Sequence, residues 1–411
     1  MGYRFTGKDV YAENAAVSLE ENGWRCNNAV KAVCRADGAL YLYLSDAAAF
    51  AGKIAHVTFR FFVEGEEGKY DALTLFTGEG ERIDYGFPQN KWSLVNFDSP
   101  ICEKDGRCAV CVRLEKAVGK TVYFSDAEIS DDTFDRTCLL GGVKLYQMDN
   151  VSALMCGYVV VTPEGRVLVF DGGGINDADN LYAFLKELGG HVDAWFLTHF
   201  HQDHVNALVG ILENHDIVIE KLYYDFRGAK NPDFKGDEDN PCVDELEYCV
   251  RTYPKKVCSV AVPVPFEEYV YGSVRIVPLN EGYFADIENP VNNSCVVYKM
   301  YTPKESVLFL GDLGSSRGDE YLQNVRFAEA IKDCRIVQMA HHGQNGVSDD
   351  FYNAIADIRV CLYPAAKWIF DSDFGQGIGT SPLLTMHTRD LMRERGVRVG
   401  FSCMDGRVLI E

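Results

Sequence analysis

The sequence contains no run of about 18 apolar residues, the length that a helix needs to cross a bilayer, so we expect no membrane-spanning segment. Basic residues are also scarce: 40 Lys and Arg stand against 61 Asp and Glu, giving a net charge of −21. Because contacts to nucleic-acid phosphates need clustered basic side chains, this balance argues against a protein that binds duplex DNA or RNA. The first residues lack the apolar core of a secretory signal, so we expect a cytoplasmic protein, or a secreted one if a leader was removed.

Motifs for several rival chemistries are missing too. We find no serine nucleophile elbow, no phosphate-binding Gly-Lys-Ser/Thr loop and no dinucleotide fingerprint. The 14 cysteines are scattered, and many lie inside apolar runs, which is typical of reduced, buried thiols. The one Cys-x-x-Cys pair, Cys108 and Cys111, has no second pair at zinc-finger spacing, and we predict that both residues belong to a strand.

At 411 residues and 47% hydrophobic content, the chain is long enough for two domains with packed cores. Up to about residue 130, short strand-like segments alternate with Gly, Asp and Asn, a pattern that predicts an antiparallel β-sandwich. The polar segment 130–138 marks a boundary. We therefore predict a sandwich over 1–135, serving as a carbohydrate-binding or interaction module, and a second domain over 139–411.

The second domain is predicted to be an α/β layered structure, because strands alternate there with amphipathic helices. Helices are predicted over "DADNLYAFLKELGG", "HVNALVGILENH" and "GDEYLQNVRFAEAIKD". The Asp405-Gly406 turn signal predicts a hairpin at the end of the chain. We interpret the acidic stretch from about 222 to 272 as an insertion beside the functional site.

Histidine is scarce, with nine residues in the chain, yet three fall within "HFHQDH" (199–204) after a predicted buried strand. His199 and His201 are spaced to bind one metal ion, while Asp203 and His204 turn onto the next helix and could bind a second. Imidazole and carboxylate together suit Zn²⁺, Fe or Mn²⁺. We therefore predict that these four residues are metal ligands.

Two later segments supply what a two-metal site would still need. "FLGDLG" places Asp312 after an apolar strand, where its carboxylate can bridge two cations. "VQMAHHG" places His341 and His342 at the end of another strand. Because consecutive strand residues face opposite sides, we expect one to bind metal and the other to reach substrate. We favour His342 as ligand and His341 as the group that stabilises developing charge, with His341 kept as an alternative ligand.

The His-x-His-x-Asp-His pattern of "THFHQDH" resembles the signature of the metallo-β-lactamase superfamily. Three further segments resemble other motifs of that family: "VLVFDGGG", which ends a strand on Asp171, "FLGDLG" and "AHHG". They occur in the family's order over about 139–411. The resemblance implies an αββα fold, two divalent cations (zinc favoured over manganese or iron) and an Asp171 that orients the ligand histidines. "NNSCVVYKM…SVLFLGDLG…VQMAHHG" is most similar to the metal-dependent domain of DNA-internalisation competence proteins, and also to phosphorylcholine esterases that trim teichoic acid.

The chain departs from this family at one ligand. Many members place a further histidine in a loop before the bridging aspartate, but here only His215 lies between His204 and Asp312, and it reads as the end of a helix with a structural role. The matching loop is "NPVNNSC". The His199/His201 metal is therefore one protein ligand short, and we expect water, substrate or an Asn carbonyl to fill the position, with Asn293 as a supporting residue.

These observations predict a metal-dependent hydrolase in which a metal-bridging hydroxide attacks a phosphodiester or another small ester. Asp203 would orient the nucleophile and His341 would stabilise the developing charge. Lactams, lactones and thioesters are alternative substrates, and a metal-binding protein without catalysis is an alternative class. A redox iron enzyme is disfavoured, since relatives of that kind carry Glu where His201 stands and no flavin-binding pattern occurs in the first 130 residues.

The expected partner is a small or modestly charged ester rather than a membrane or duplex nucleic acid. In the first domain, Trp92 or Tyr85 could stack on a sugar, although packing between domains explains them equally well. His387, on an amphipathic helix, is expected in solvent or in packing. The oligomeric state stays open.

Overall fold

The computed structural model describes residues 9–21, 23–135, 137–151, 154–230, 242–282 and 289–411. The chain divides into two compact units. The first contains the chain up to Asp135 together with 371–382 and 389–398, and the second contains 136–370, 383–388 and 399–411. The sequence assigned all of 139–411 to the second domain, whereas these two late segments pack with the first unit.

The first unit is a sandwich of two antiparallel sheets. Its strands are β1 (Val10–Ala12), β2 (Ala15–Glu20), β3 (Ala29–Cys34), β4 (Gly38–Leu42), β5 (Ile54–Val63), β6 (Tyr70–Thr77), β7 (Arg82–Pro88), β8 (Ser93–Pro100), β9 (Cys102–Lys104), β10 (Arg107–Glu115) and β11 (Thr121–Ser130). One sheet has the order β1-β4-β10-β6-β7 with β9 beside β10, and the other β2-β3-β11-β5-β8. The predicted sandwich is confirmed, and Cys108 and Cys111 both lie in β10.

Alternation of apolar and polar residues explains why these strands pair face to face. Along β5 and β8 buried residues recur at every second position. The rings of Phe59, Phe61 and Phe124 meet between the sheets, with centroids 5.1–5.4 Å apart where Phe124 touches the other two. Aromatic rings bury large apolar areas, so this cluster contributes strongly to the core of the sandwich.

A buried charge network joins the sandwich strands to the late segments of the same unit. Arg393 Nε lies 2.7 Å from Asp84 Oδ2, and the Arg393 guanidinium also donates to Asp390. Tyr70 donates through its hydroxyl to Asp390 at 2.8 Å. Burial opposes the charge on Arg393, but the two carboxylates outweigh it and raise the pKa of the guanidinium. The network therefore holds the Arg393 cation between two anions in a place with little water, and Arg389 approaches Asp84 at 3.7 Å.

Tyr85 is part of the same region, and the expectation that it stacks on a sugar is wrong. Its side chain is only 7% exposed, its hydroxyl donates to Asp371 at 2.5 Å, and the Arg389 guanidinium lies 4.7 Å from its ring centroid. The ring face that a sugar would need is covered. Trp92 is half-buried against Phe62, and its contact with a glycan stays a prediction.

We expect Arg393→Met to lower the free energy of unfolding by about 3 kcal/mol, because it leaves Asp84 and Asp390 without their shared cation. Urea unfolding followed by fluorescence measures the effect. The matched control is Arg113→Met, which removes a well-exposed partner of Glu115 and should cost under about 1 kcal/mol. Equal midpoints for the two variants would contradict this account.

The second unit contains two mixed sheets and most of the helices. Its strands are β12 (Lys144–Gln147), β13 (Gly157–Val161), β14 (Val167–Asp171), β15 (His191–Val192), β16 (Ala194–Phe196), β17 (Val218–Ile219), β18 (Leu222–Tyr223), β19 (Val260–Ala261), β20 (Tyr269–Tyr271), β21 (Val274–Pro278), β22 (Tyr298–Tyr301), β23 (Ser306–Phe309), β24 (Ile336–Gln338), β25 (Val360–Tyr363), β26 (Val399–Ser402) and β27 (Val408–Ile410). The helices are α1 (Ala178–Glu187), α2 (Gln202–Asn214), α3 (Cys242–Thr252), α4 (Pro290–Asn293), α5 (Ser315–Leu322), α6 (Val325–Ile331), α7 (Asp349–Ala354), α8 (Lys367–Phe370) and α9 (Thr385–Glu394), the last of which ends in the first unit.

The two large sheets share one pairing pattern. Their orders are β19-β18-β16-β14-β13-β12-β27 and β20-β21-β22-β23-β24-β25-β26, and β15 pairs with β17 separately. In each large sheet, three antiparallel pairings at one end give way to three parallel pairings at the other. Parallel strands end at the same edge of a sheet, so residues that follow β14, β16, β23 and β24 are brought near one another.

Aromatic rings fill the space between the sheets. Phe170 of β14 stacks on Phe309 of β23 with centroids 4.1 Å apart, and Phe196 of β16 meets Tyr298 of β22 at 5.4 Å. The neighbour of Phe196, Trp195, points to the other face of its sheet and joins the core formed with α1, α2 and α3. On the far face of the second sheet, the Lys299 ammonium donates to the carbonyl of Ala330 in α6. The layers are therefore helix, sheet, sheet, helix, and the predicted α/β fold class is confirmed.

Three sequence predictions need correction. The helix predicted over "GDEYLQNVRFAEAIKD" is two helices, α5 and α6, because the Asn324 side chain caps a new helix by accepting from Arg326 N and Phe327 N. The Asp405-Gly406 hairpin is wrong: β26 pairs with β25 and β27 pairs with β12, in different sheets. The stretch from 222 to 272 is more than an insertion, since α3 and β19 belong to the layers, while 231–241 lie outside the described residues. In the part of the chain that the structure describes, no helix is long and apolar enough to cross a membrane.

Candidate metal centre

The candidate site lies where four strands end. Asp171 is the last residue of β14, the histidine cluster begins three residues after β16, Asp312 follows β23, and His341 and His342 follow β24. Two of these strands belong to one large sheet and two to the other. Sequence-distant residues therefore converge because both sheets present their strand ends at one edge.

Asp171 anchors the histidine cluster. Its carboxylate accepts from the backbone N–H of Thr198 at 2.7 Å, from Thr198 Oγ1 at 2.8 Å and from His204 Nδ1 at 2.8 Å. Its own backbone has a φ of 51°, in the left-handed region that Asp enters more readily than most residues. The Trp195 indole N–H donates to the Asp171 carbonyl at 2.8 Å, which fixes this turn. The strain and the hydrogen bonds together aim the carboxylate at the cluster.

Hydrogen bonds also fix which nitrogen of His199, His204 and His342 faces the site. The Thr198 hydroxyl, which donates to Asp171, lies 3.1 Å from His199 Nδ1, and His342 Nδ1 lies 2.6 Å from the carbonyl oxygen of Pro364. His204 Nδ1 is taken by Asp171. In these three residues Nδ1 is taken by a partner outside the cluster, so Nε2 is the nitrogen that faces the site. Metal-bound histidines are held in this way.

Hydrogen bonds to the backbone hold Asp312 in place, and none of them uses its carboxylate. Gln338 Oε1 accepts from Leu310 N at 2.6 Å and from Gly311 N at 2.7 Å, which turns the chain just before Asp312. The Asp312 N–H donates to the Cys295 thiol sulfur at 3.1 Å. Gly311 has a φ of 54°, and a Cβ there would lie 2.7 Å from Thr198 Oγ1, so the turn requires glycine.

The donors form two groups that share Asp312. The four-donor set comprises Asp203, His204, Asp312 and His342, and the three-donor set comprises His199, His201 and Asp312, with donor atoms in each set within 4.8 Å of one another. A carboxylate common to two sets can bridge two cations.

The distances within these sets fit ligands of a cation. His342 Nε2 lies 2.9 Å from Asp203 Oδ2, and His204 Nε2 lies 3.2 Å from Asp312 Oδ1. Neither His204 Nε2 nor Asp312 Oδ1 has a hydrogen-bond partner among the described residues. Donors around a tetrahedral zinc ion, each about 2.0–2.2 Å from it, are roughly 3.3 Å apart. A divalent cation would satisfy these two buried ligand atoms, which face each other without a hydrogen bond, so the residues present fit the metal.

The charges of the cluster also favour a bound cation. Burial lowers the pKa of His199 well below its usual range and keeps the ring neutral. Burial also opposes charge on His342, but Asp312 and Asp203 outweigh it and raise its pKa to about 10. Asp312 and Asp171 likewise hold the pKa of His204 well above its usual range. The carboxylates create a negative region that a proton, or a metal ion, must neutralise.

His341 and His342 are not strand residues, so the alternation argument for them is wrong. β24 ends at Gln338, and both histidines lie in a turn with φ values of 51° and 58°. Both rings face Asp312, with His342 Nε2 at 3.5 Å and His341 Nε2 at 3.7 Å from Oδ2. His341 belongs to neither donor set and lies closer to the surface, which agrees with a different task for each; the assigned tasks stay predictions.

The "NPVNNSC" segment forms the one-turn helix α4 beside Asp312 and His341. Asn293 Oδ1 accepts from Gly314 N at 3.0 Å and so supports the turn that follows Asp312. Asn292 Nδ2 lies 3.5 Å from His341 Nε2. His215 is away from the cluster: it stacks on Tyr182 and pairs with Asp179.

A pocket of about 430 Å³ opens onto the cluster. It is lined by Leu154, His201, Gln202, Asp203, Asp312, His341, His342 and Gln344. Sequence reasoning missed Thr198, Gln338 and Cys295, whose contacts only the folded chain shows. Gln338 carried one signal, a polar residue inside an otherwise apolar strand. His387 pairs with Asp349 and is exposed, as expected.

Residues 153–356 match the family model described as the metallo-beta-lactamase superfamily. This part of the chain belongs to that superfamily. The candidate metal cluster described above lies wholly within the matched segment.

Three similar solved structures each cover 66% of this chain. The metallo-β-lactamase fold protein YhfI from Bacillus subtilis is 11% identical, covers 66% of this chain and 99% of its own, and gives a TM-score of 0.42. Zinc-bound PqqB from Methylobacterium extorquens is 10% identical over 66% of this chain and 99% of its own, with a TM-score of 0.39. A diphosphatase of the PhnP family is 11% identical over 66% and 97%, with a TM-score of 0.37. Among curated proteins no sequence matches this chain.

We expect Asp171→Ala to weaken metal binding about 10–100-fold, because it frees the ring of His204 and the hydroxyl of Thr198 that positions His199. Competition with a chromophoric chelator measures the affinity. Asp179→Ala is the matched control, since it removes a carboxylate from the exposed pair with His215. An Asp171→Ala protein that binds metal as tightly as the control would contradict this role.

We also expect metal binding at pH 8 to release protons, because the pKa of His342 is raised to about 10 and that of His204 is raised well above its usual range, and a ligand nitrogen must give its proton up. Affinity should therefore rise with pH as long as the pH stays below the raised pKa values. Calorimetry in two buffers of different ionisation enthalpy measures the release, and His342→Ala should release about one proton fewer. Binding without proton release would disprove the assignment.

Proposed function

We propose that the second unit is a metal-dependent hydrolase with two divalent cations, zinc favoured over manganese or iron, that acts on a phosphodiester or another small ester. The observation that supports this most is the pair of donor sets that share Asp312 beside an open pocket. Bound there, the cations would lower the pKa of a water molecule to near neutrality and polarise an ester oxygen.

Of the two cluster carboxylates, Asp203 is the one suited to handle a proton. Its side chain is 19% exposed and lines the pocket, whereas that of Asp312 is 3% exposed. One Asp203 oxygen lies 2.9 Å from His342 Nε2, which fixes the carboxylate. Asp203 would then accept a hydrogen bond from the attacking water and orient it toward the ester.

His341 is placed to stabilise the charge that develops on the ester. Its ring is 21% exposed, lines the pocket, and is oriented by the contact of Nδ1 with the Asn345 carbonyl at 3.2 Å. Nε2 lies 3.7 Å from Asp312 Oδ2 and 3.5 Å from Asn292 Nδ2. A hydrogen-bonding group held at that place contributes more to the transition state than one that must first be ordered.

Charge favours an anionic ester of modest size. Two divalent cations would more than balance the carboxylates of Asp171, Asp203 and Asp312, so the loaded site attracts a phosphodiester. The pocket volume of about 430 Å³ is within the range of small-molecule sites. The net charge of −21 would repel a long polyanion, which argues for a small substrate rather than duplex nucleic acid.

The test compares zinc- and manganese-loaded protein on bis(p-nitrophenyl) phosphate, p-nitrophenyl acetate, a thioester and a chromogenic β-lactam. We expect the phosphodiester to be hydrolysed fastest, and Asp312→Ala to lower that rate at least about 100-fold. His215→Ala is the matched control, since it removes a histidine outside the cluster.

Faster turnover of the thioester or the lactam would replace the phosphodiester with that substrate class. If metal-loaded protein is inert toward every substrate, the alternative holds, that of a metal-binding protein without catalysis. A His199→Ala/His204→Ala protein that keeps its full metal content would refute the proposed site.

A further inference from the structure

The two donor sets are unequal. The four-donor set offers two imidazoles and two carboxylates, while the three-donor set offers two imidazoles and the shared carboxylate. A divalent transition-metal ion in a protein takes at least four donors. A cation bound by His199, His201 and Asp312 therefore needs a further donor from the chain, from water or from substrate.

Two neighbours of the three-donor set already have partners. Asn293 Oδ1 is engaged by Gly314 N at 3.0 Å. His341 Nδ1 faces the Asn345 carbonyl, and its Nε2 lies 3.5 Å from Asn292 Nδ2. The Asn293 oxygen is therefore already satisfied, and His341 is the partly exposed ring that we assign to the developing charge.

The side chain of Asn292 has a buried oxygen without a hydrogen bond among the described residues. The residue is only 4% exposed, and the unpaired atom is Oδ1. An unpaired buried acceptor costs about 1–3 kcal/mol, so a folded protein keeps one only where something else satisfies it. His341 Nε2 lies 3.5 Å from Asn292 Nδ2 and 3.7 Å from Asp312 Oδ2, so one imidazole contacts both the amide and the shared carboxylate.

The backbone holds Asn292 at that place. Pro290 opens α4, and Ser294 Oγ donates to the Val291 carbonyl at 2.7 Å, which closes the single turn. Val296 N donates to the Thr198 carbonyl at 2.8 Å, one residue before His199. The segment that carries Asn292 is therefore tied to the segment that carries His199.

We propose that the Asn292 amide oxygen completes the three-donor set, giving a second cation site of two imidazoles, one carboxylate and one neutral amide oxygen. This proposal rests on the two-metal function proposed above. A neutral oxygen is a weaker donor to zinc than imidazole or carboxylate, so this site binds its cation less tightly than the four-donor set. The protein then binds two cations in sequence, the second exchangeable.

The test titrates metal-free protein with Zn²⁺ by calorimetry and with Co²⁺ by visible absorption, which reports the donors around each ion. We expect two affinities in the unaltered protein. Asn292→Leu should weaken the second at least about tenfold and leave the first unchanged, and Asn292→His should tighten the second. Ser294→Ala is the matched control, because it loosens the same turn without removing an amide oxygen.

The proposal is overturned if Asn292→Leu binds both ions as the unaltered protein does, or if Ser294→Ala weakens the second ion equally. It is also overturned if the unaltered protein binds a single ion. Failure of the proposed function looks different: it is the absence of all metal binding, or two bound ions without hydrolysis of any ester. The metal titration and the hydrolysis assay therefore separate the two.

Discussion

The hydrogen bonds of the Asp171 carboxylate are the interaction on which the site depends most. This one side chain reaches the Thr198 backbone, the Thr198 hydroxyl and the His204 ring. Through the Thr198 hydroxyl it also sets the orientation of His199. A buried anion at the end of β14 thus aligns histidines that belong to both donor sets, before any cation is present.

The same edge of the two sheets is ordered by a second polar clamp. Gln338 fills the gap that opens where β23 turns away from β24, and its amide satisfies backbone groups on both sides, including the Gly311 carbonyl. Buried amides are retained when each of their polar atoms has a partner. Aromatic rings pack the two sheets together. Asp171 and Gln338 then fix the positions of the metal-ligand side chains at the sheet edge.

Most of the cluster could be predicted from the sequence, because a short motif after an apolar strand places its residues by local geometry alone. His199, His201, Asp203 and His204 are such a case. The parts that could not be predicted depend on contacts between distant segments: Thr198 matters only because Asp171 lies beside it, and Asn292 differs from Asn293 only in which partner each amide meets. The Asp405-Gly406 signal failed for the same reason. A turn dipeptide reports local bending, whereas β25 and β12 were the edges available for pairing.

The return of residues 371–382 and 389–398 to the first unit bears on how the chain folds during synthesis. Domains generally fold from the amino terminus as they leave the ribosome. Here the sandwich strands emerge first, yet Asp84 and Tyr85 meet Arg393 and Asp371 only when the chain is almost complete. These contacts can therefore form only after most of the second unit has been made. The end of α9 therefore belongs to the first unit, so a substitution in 389–398 acts on strands that lie some 300 positions away in the sequence.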